Sequence, residues 1–128
     1  MRVLLTGASG LVGGAVARLA AGAGHEVTGI VGTWTGGRVA GAIRQWTGDL
    51  TRPGEIDRLV AESGAEAIVN AAAISEPVRC DERPLQAEQL NVALPERLAQ
   101  LAAARGARFI HLSSEQVFDG TAAPYAPG

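Results

Sequence analysis

The sequence predicts an α/β fold built as a doubly wound parallel sheet, and three observations carry that expectation. Short apolar runs alternate with longer stretches of helical periodicity. The runs are apolar on consecutive positions, as in strands covered on both faces. A glycine-rich bend, "TGASGLVGG", joins the first run to the first helical stretch. Such alternation gives βαβ units with right-handed crossovers.

Each element follows from its residues. "RVLLT" (2–6), "EVTGIV" (26–31), "EAIVNAAA" (66–73) and "RFIHLSS" (108–114) read as strands, and a weaker one covers Arg44 to Thr47. Leu11, Val12, Ala15, Val16 and Leu19 form a first helical stripe. Ile56, Leu59 and Val60 form a second, after Pro53 at a first-turn position. Leu90, Leu94, Leu98, Leu101 and Ala102 form a third, between Gln86 and Arg105 and closed by Gly106. Pro95 interrupts that stripe, so its firm helix is expected to begin there. The segment "GTWTGGRVAGA" (32–42) stands where another helix is due, but its four glycines predict a loop.

Composition narrows the function classes. The 128 residues suit one domain, expected to occupy positions 1–128. With 47% hydrophobic and 19% charged residues the chain reads as a soluble globule. A net charge of −2 supplies no basic excess for nucleic acid. No apolar run reaches the ~18 residues of a membrane span. The lone cysteine, Cys80, allows no internal disulfide, so a cytoplasmic location is expected. Two histidines and one cysteine at unrelated spacings predict no metal site. All eleven basic residues are arginine, so lysine chemistry is closed to this chain.

The glycine bend carries the sharpest chemistry. Gly7, Gly10 and Gly13 stand in G-x-x-G-x-x-G spacing between a strand and a helix. Gly7 permits the turn, Gly10 admits a pyrophosphate to the backbone, and Gly13 lets helix and strand pack closely. Phosphates would then face the positive end of the helix dipole and its unpaired N–H groups. This is the dinucleotide-binding arrangement of a Rossmann-type fold.

With "TGASGLVG" the chain resembles the short-chain dehydrogenase/reductases of the extended branch, whose fingerprint is T-G-x-x-G-x-x-G. "GHEVTGIV", "GDLT" and "IVNAAA" resemble the family's second strand, adenine turn and fourth strand. "CDERPLQAEQLNV" and "HLSSEQVFDG" are similar to the dTDP-4-dehydrorhamnose reductase group, which includes a related regulatory subunit of methionine adenosyltransferase. The resemblance covers nearly the whole chain and implies strand order 3-2-1-4-5.

It also implies a site. Gly7, Ser9, Gly10, Leu11, Val12 and Gly13 would cradle the pyrophosphate of a nicotinamide cofactor. No acidic residue stands at Val31 or Gly32, where one would favour NAD, and Thr33 or Arg38 could reach a 2′-phosphate. NADP is therefore expected, with NAD the alternative; Arg38 could equally be a solvated loop residue. Asp49 and Leu50 resemble the adenine-flanking pair, although Asp49 could instead cap the turn before Pro53. Ala71, Ala72 and Ala73 would leave room for ribose and nicotinamide, or simply reflect close packing. Asn91 resembles an asparagine of the nicotinamide side, with a helix-start cap as competitor.

For catalysis the resemblance implies a carbonyl held by Ser114, Ser113 against the cofactor, and a Tyr-x-x-x-Lys pair donating the proton. The serines could also merely end a strand. That pair would begin about two dozen residues after the serine, beyond Gly128, and Tyr125 in "YAPG" has no lysine to follow it. Two readings stand: the amino-terminal, cofactor-binding part of a reductase of nucleotide-linked keto-deoxysugars, or a short non-catalytic module that regulates a partner. The first implies a nucleotide-sugar substrate in the longer protein, and a homodimer is compatible with it. On the first reading apolar surface from "FIHL" and the preceding helix should lie exposed.

Overall fold

The computed structural model describes residues 1–34, 36–121 and 124–125. Five strands form one parallel sheet: β1 (Arg2–Thr6), β2 (Glu26–Val31), β3 (Ala42–Thr47), β4 (Ala67–Asn70) and β5 (Arg108–His111). Their order is β3-β2-β1-β4-β5, as the resemblance implied. The helices are α1 (Leu11–Gly22), α2 (Glu55–Ser63), α3 (Pro77–Glu82), α4 (Pro84–Glu88) and α5 (Leu94–Arg105). Among the described residues no helix is long and apolar enough to cross a membrane.

Consecutive apolar residues are explained by two cores, one on each face. Val3, Leu5, Val27, Val31 and Val69 pack on the α1 side with Ala17. Leu4, Ile30 and Ile68 pack on the other side with Ile56, Leu59 and Val60 of α2 and Leu94, Leu98 and Leu101 of α5. The second and third predicted stripes therefore face the sheet.

Of the first stripe only Val16 packs against the sheet core, and it is partly buried. Leu11 and Leu19 are 92% and 75% exposed, and Val12 is exposed as well. The residues of α1 that reach the sheet are Gly13 and Ala17, both buried, with Val16 and Ala20 partly buried beside them. Helix α1 lies too close to the strands for a leucine between them. A Cβ on Gly13 would sit 2.1 Å from the Gly7 carbonyl oxygen. Periodicity marked the helix correctly, but Leu11, Val12 and Leu19 of its stripe lie on the exposed side.

Strands β4 and β5 are shorter than expected, ending at Asn70 and His111, so the alanines and the serines lie beyond them. The described residues of the 32–41 segment form no helix, and β3 begins two residues before Arg44. Helix α3 was not foreseen, because its six residues contribute nothing to the core and carry no stripe. The helical stretch around Pro95 runs from Pro84 to Arg105, with one π turn at Gln89–Ala93. The wider turn lies just where Pro95 cannot donate a backbone hydrogen bond, and α5 starts at Leu94, close to the expected point. Ile110 is 51% exposed and Leu112 is also exposed, as expected for "FIHL", but the leucines of α5 are buried.

Helices α2 and α5 are tied by Asp57, which accepts from Arg97 Nε at 3.2 Å and from Nη2. The Arg97 guanidinium holds the Asp57 carboxyl below its ordinary value. A depressed folded-state pKa stabilises the fold above the unfolded-state pKa, and that contribution disappears as pH falls through the folded value. Asp57→Asn is therefore expected to lower the thermal midpoint at pH 7 and to leave it unchanged once the carboxyl is protonated in acid. Parallel midpoint-against-pH curves for the two proteins would contradict this.

Candidate dinucleotide site

The carboxyl ends of the strands open onto a cleft of about 630 Å³. It straddles the β1–β4 boundary, where the strand order reverses and open α/β sheets bind ligands. Gly7, Ser9 and Gly10 form one side, following β1. Thr33 follows β2, Asp49 and Leu50 follow β3, and Ala71, Ala72 and Ala73 follow β4. Nine of the predicted site residues thus share one cavity.

Two glycine positions shape it. Gly7 has φ of 66°, a left-handed conformation, and a Cβ there would lie 2.5 Å from the Ala71 carbonyl oxygen. The bend after β1 is consequently pressed against the segment after β4. Gly13, in contact with Gly7, seats α1 directly beneath the bend. Helix α1 has no side-chain cap, so its first-turn N–H groups are not satisfied by side chains. Leu11 and Val12 belong to that turn, outside the cleft lining, with their side chains toward solvent. Gly13 is buried and bears on the cleft only through packing.

A buried polar row supports the floor. The register places Thr6, Asn70 and His111 side by side at the ends of β1, β4 and β5. Thr6 Oγ1 accepts from the Ala72 N–H at 3.3 Å and donates to Asn70 Oδ1 at 2.5 Å. Asn70 Nδ2 then donates to His111 Nδ1 at 3.1 Å. Thr6 and Asn70 are completely buried. His111 itself is exposed, not turned into packing as its apolar neighbours suggest, because β5 is the sheet edge.

Asp49 does two things. Its Oδ1 accepts from the Thr51 hydroxyl at 2.6 Å and the Thr51 N–H at 3.0 Å, so the turn-capping alternative holds. Those bonds, and then Arg52, keep its carboxyl below the ordinary range. The same residue lines the cleft, leaving an ionised acceptor beside Leu50.

Other predicted residues lie elsewhere. Arg38 does not line the cleft; its Nε and Nη2 donate to the Ala42 carbonyl at 3.3 Å, and Nη2 also to that of Ile43. Asn91 is neither in the cleft nor a helix cap. Its Oδ1 accepts from the Ile74 N–H and its Nδ2 donates to the Ile74 carbonyl, both at 2.9 Å. Asn91 thereby pins the segment after β4 that carries the three alanines, acting from the π turn. Ser113 and Ser114 are exposed beyond β5 and outside the cleft lining. Ser114 Oγ accepts from the Gln116 N–H at 3.1 Å and donates to Glu115 Oε2 at 3.2 Å.

Sequence reasoning missed Glu55 and Gln86 in the lining. Glu55 opens α2, and its carboxylate would lie 3.2 Å from a Cβ on Gly48. The signal was its place directly after "GDLTRPG", where an acidic first turn is favourable. Gln86 lies on α4, whose approach to the cleft only the tertiary fold sets.

Comparison with known proteins agrees with this architecture. The model of the RmlD substrate binding domain matches residues 1–127. The chain belongs to that family. Within it, the chain is 31% identical over 117 residues to a dTDP-4-dehydrorhamnose reductase of Mycolicibacterium smegmatis, covering 91% of the chain and 31% of that protein. It is 36% identical over 124 residues to methionine adenosyltransferase 2 subunit beta of Rattus norvegicus, covering 97% and 35%. The crystal structure of a hypothetical dTDP-4-dehydrorhamnose reductase from Sulfolobus tokodaii superposes with a TM-score of 0.83 at 26% identity, over 98% of this chain and 44% of that one. The chain spans about a third of the length of the curated relatives it matches. The resemblance seen in "TGASGLVG" and "HLSSEQVFDG" is thus borne out.

Proposed function

We propose that the chain is the dinucleotide-binding part of an NAD(P)-dependent reductase of nucleotide-linked keto-deoxysugars, with NADP preferred. The observation that carries this reading is the cleft at the strand-order reversal, floored by a bend that only glycine can make. The residues fit such a cofactor. The bend and the uncapped turn of α1 suit a pyrophosphate, Asp49 and Leu50 suit adenine, and the alanines suit ribose and nicotinamide. Val31 and Gly32 present no carboxylate to repel a 2′-phosphate.

Bound as NADPH, the cofactor would supply hydride to a carbonyl. The chain's own part is to orient that cofactor and keep bulky groups off its nicotinamide face. Ser114 would hold the substrate oxygen, and its hydroxyl must then exchange the Glu115 carboxylate for the carbonyl. The 128 residues contain no lysine, so no Tyr-x-x-x-Lys pair is among them, and proton donation is assigned to no residue here.

The relationship to methionine adenosyltransferase 2 subunit beta favours a second reading: a dinucleotide-binding module that regulates a partner without catalysis. A calorimetric titration combined with a reductase assay tests both. NADP+ should bind the 128-residue chain, and Ala73→Trp, at an exposed wall of the cleft, should weaken it on the order of tenfold, about 1.4 kcal/mol. Purified chain should reduce no dTDP-4-dehydrorhamnose. Turnover would exclude the regulatory reading, and binding unaffected by Ala73→Trp would remove the cleft as the site.

A further inference from the structure

A second groove, of about 240 Å³, adjoins the cleft and shares Ser9 and Gly10 with it. It runs between α1 and the loop after β2, and Arg18, Trp34 and Arg38 line it with no carboxylate. Arg18 projects from the second turn of α1, and Nη1 lies 3.7 Å from where a Cβ on Gly14 would be. The guanidinium therefore lies back along the helix toward its first turn, over a position that carries no side chain. Among the described residues Arg18 makes no hydrogen bond or ion pair. Arg38 is different, since Nε and Nη2 are already given to backbone carbonyls.

From this we infer that Arg18, not Arg38, is the specificity-determining residue for a 2′-phosphate, and that the groove takes the phosphomonoester of NADP. The inference rests on the dinucleotide reading above. A dianion leaving the adenosine side of the cleft past Ser9 and Gly10 enters a groove of positive charge. The free guanidinium offers two parallel N–H donors to it without breaking an existing bond. Arg38 keeps the loop closed on β3 and adds charge from behind. NAD, with a neutral 2′-hydroxyl in place of the phosphate, forms no charge-assisted pair with the guanidinium.

The test is a calorimetric titration of the full chain, of Arg18→Ala and of Arg38→Ala with NADP+ and with NAD+, at low and at raised potassium chloride. Arg18→Ala should weaken NADP+ on the order of tenfold or more. It should leave NAD+ within about twofold, which also shows that the variant is folded. The salt dependence of NADP+ binding should flatten in the same variant. Gly14→Glu, which sets a carboxylate beside the guanidinium, should reproduce the loss while Arg18 is retained. Equal loss of both nucleotides in Arg18→Ala, or loss of NADP+ in Arg38→Ala alone, would overturn the assignment. If wild-type chain binds NAD+ and NADP+ equally, the groove proposal fails and the cleft reading stands. If it binds neither, both fail.

Discussion

Gly13→Ala is expected to be severely damaging for a single added methyl, lowering the thermal midpoint on the order of 10 °C and abolishing dinucleotide binding. The added Cβ would meet the Gly7 carbonyl oxygen at 2.1 Å and the Gly7 carbonyl carbon at 2.8 Å. Both are backbone atoms of the bend, so no rotamer change relieves the clash. Overpacking of this kind costs about 1–3 kcal/mol and more where the neighbour cannot move, against a total stability of about 5–15 kcal/mol. Relief requires α1 to lift from the sheet, which separates the first helical turn from the cleft. Gly22→Ala provides the control, because nothing lies within 4 Å of a Cβ there and the residue is the last of α1. That change should be neutral or stabilise by about 0.4–1 kcal/mol. Circular dichroism melts of the two variants decide the matter, and a Gly13→Ala midpoint within 2 °C of wild type on the order-of-magnitude scale above would mean that α1 does not sit this close.

The second large effect is expected at Asn70. Leucine at this position keeps the volume but removes the acceptor for Thr6 and the donor for His111. Thr6 is fully buried, so its hydroxyl has no water to turn to, and an unsatisfied buried donor costs about 1–3 kcal/mol. His111, at the exposed edge, can replace its lost bond with solvent. The prediction is therefore asymmetric. Asn70→Leu alone should destabilise by about 2 kcal/mol, whereas Thr6→Val combined with Asn70→Leu should recover part of that loss, since the pair leaves no buried hydroxyl unpaired and costs only the weaker Ala72 N–H bond to Thr6. A denaturant-based double-mutant cycle measures the coupling, expected at about 0.5–3 kcal/mol. Strict additivity of the two changes would show that the row does not act as a unit. Because Ala72 N–H also bonds Thr6, the Asn70→Leu variant should bind dinucleotide more weakly than its stability alone explains.

Much of the site was legible before any coordinates, and the reason differs residue by residue. Gly7 and Gly13 are readable because steric demands at a tight bend leave one residue type that fits, and the structure finds both in contact with backbone. Asp49 and Leu50 were placed by their resemblance to the family's adenine-flanking pair, and the three alanines by their position after a strand, which in a parallel sheet delivers them to one edge. Arg38 and Asn91 lie outside the cleft lining, because residue type alone does not say where a long polar side chain spends its hydrogen bonds. Each is occupied on the backbone, Arg38 at the start of β3 and Asn91 at Ile74. Ser114 likewise bonds its own turn. The exposed stripe of α1 failed for a related reason: periodicity counts apolar side chains, whereas a closely seated helix presents its smallest ones.

The sequence by itself determined the layered α/β architecture, the strand order through its family motifs, and the dinucleotide bend. These are local or nearly local consequences of apolar runs, turn chemistry and glycine sterics. Only the tertiary structure decided which face of α1 meets the sheet and which polar groups at the strand ends are already satisfied. It also decided that Arg18 shares a groove with Trp34 and Arg38. Those outcomes depend on how near two elements approach and on which hydrogen-bond partners that approach supplies, quantities that no single segment encodes.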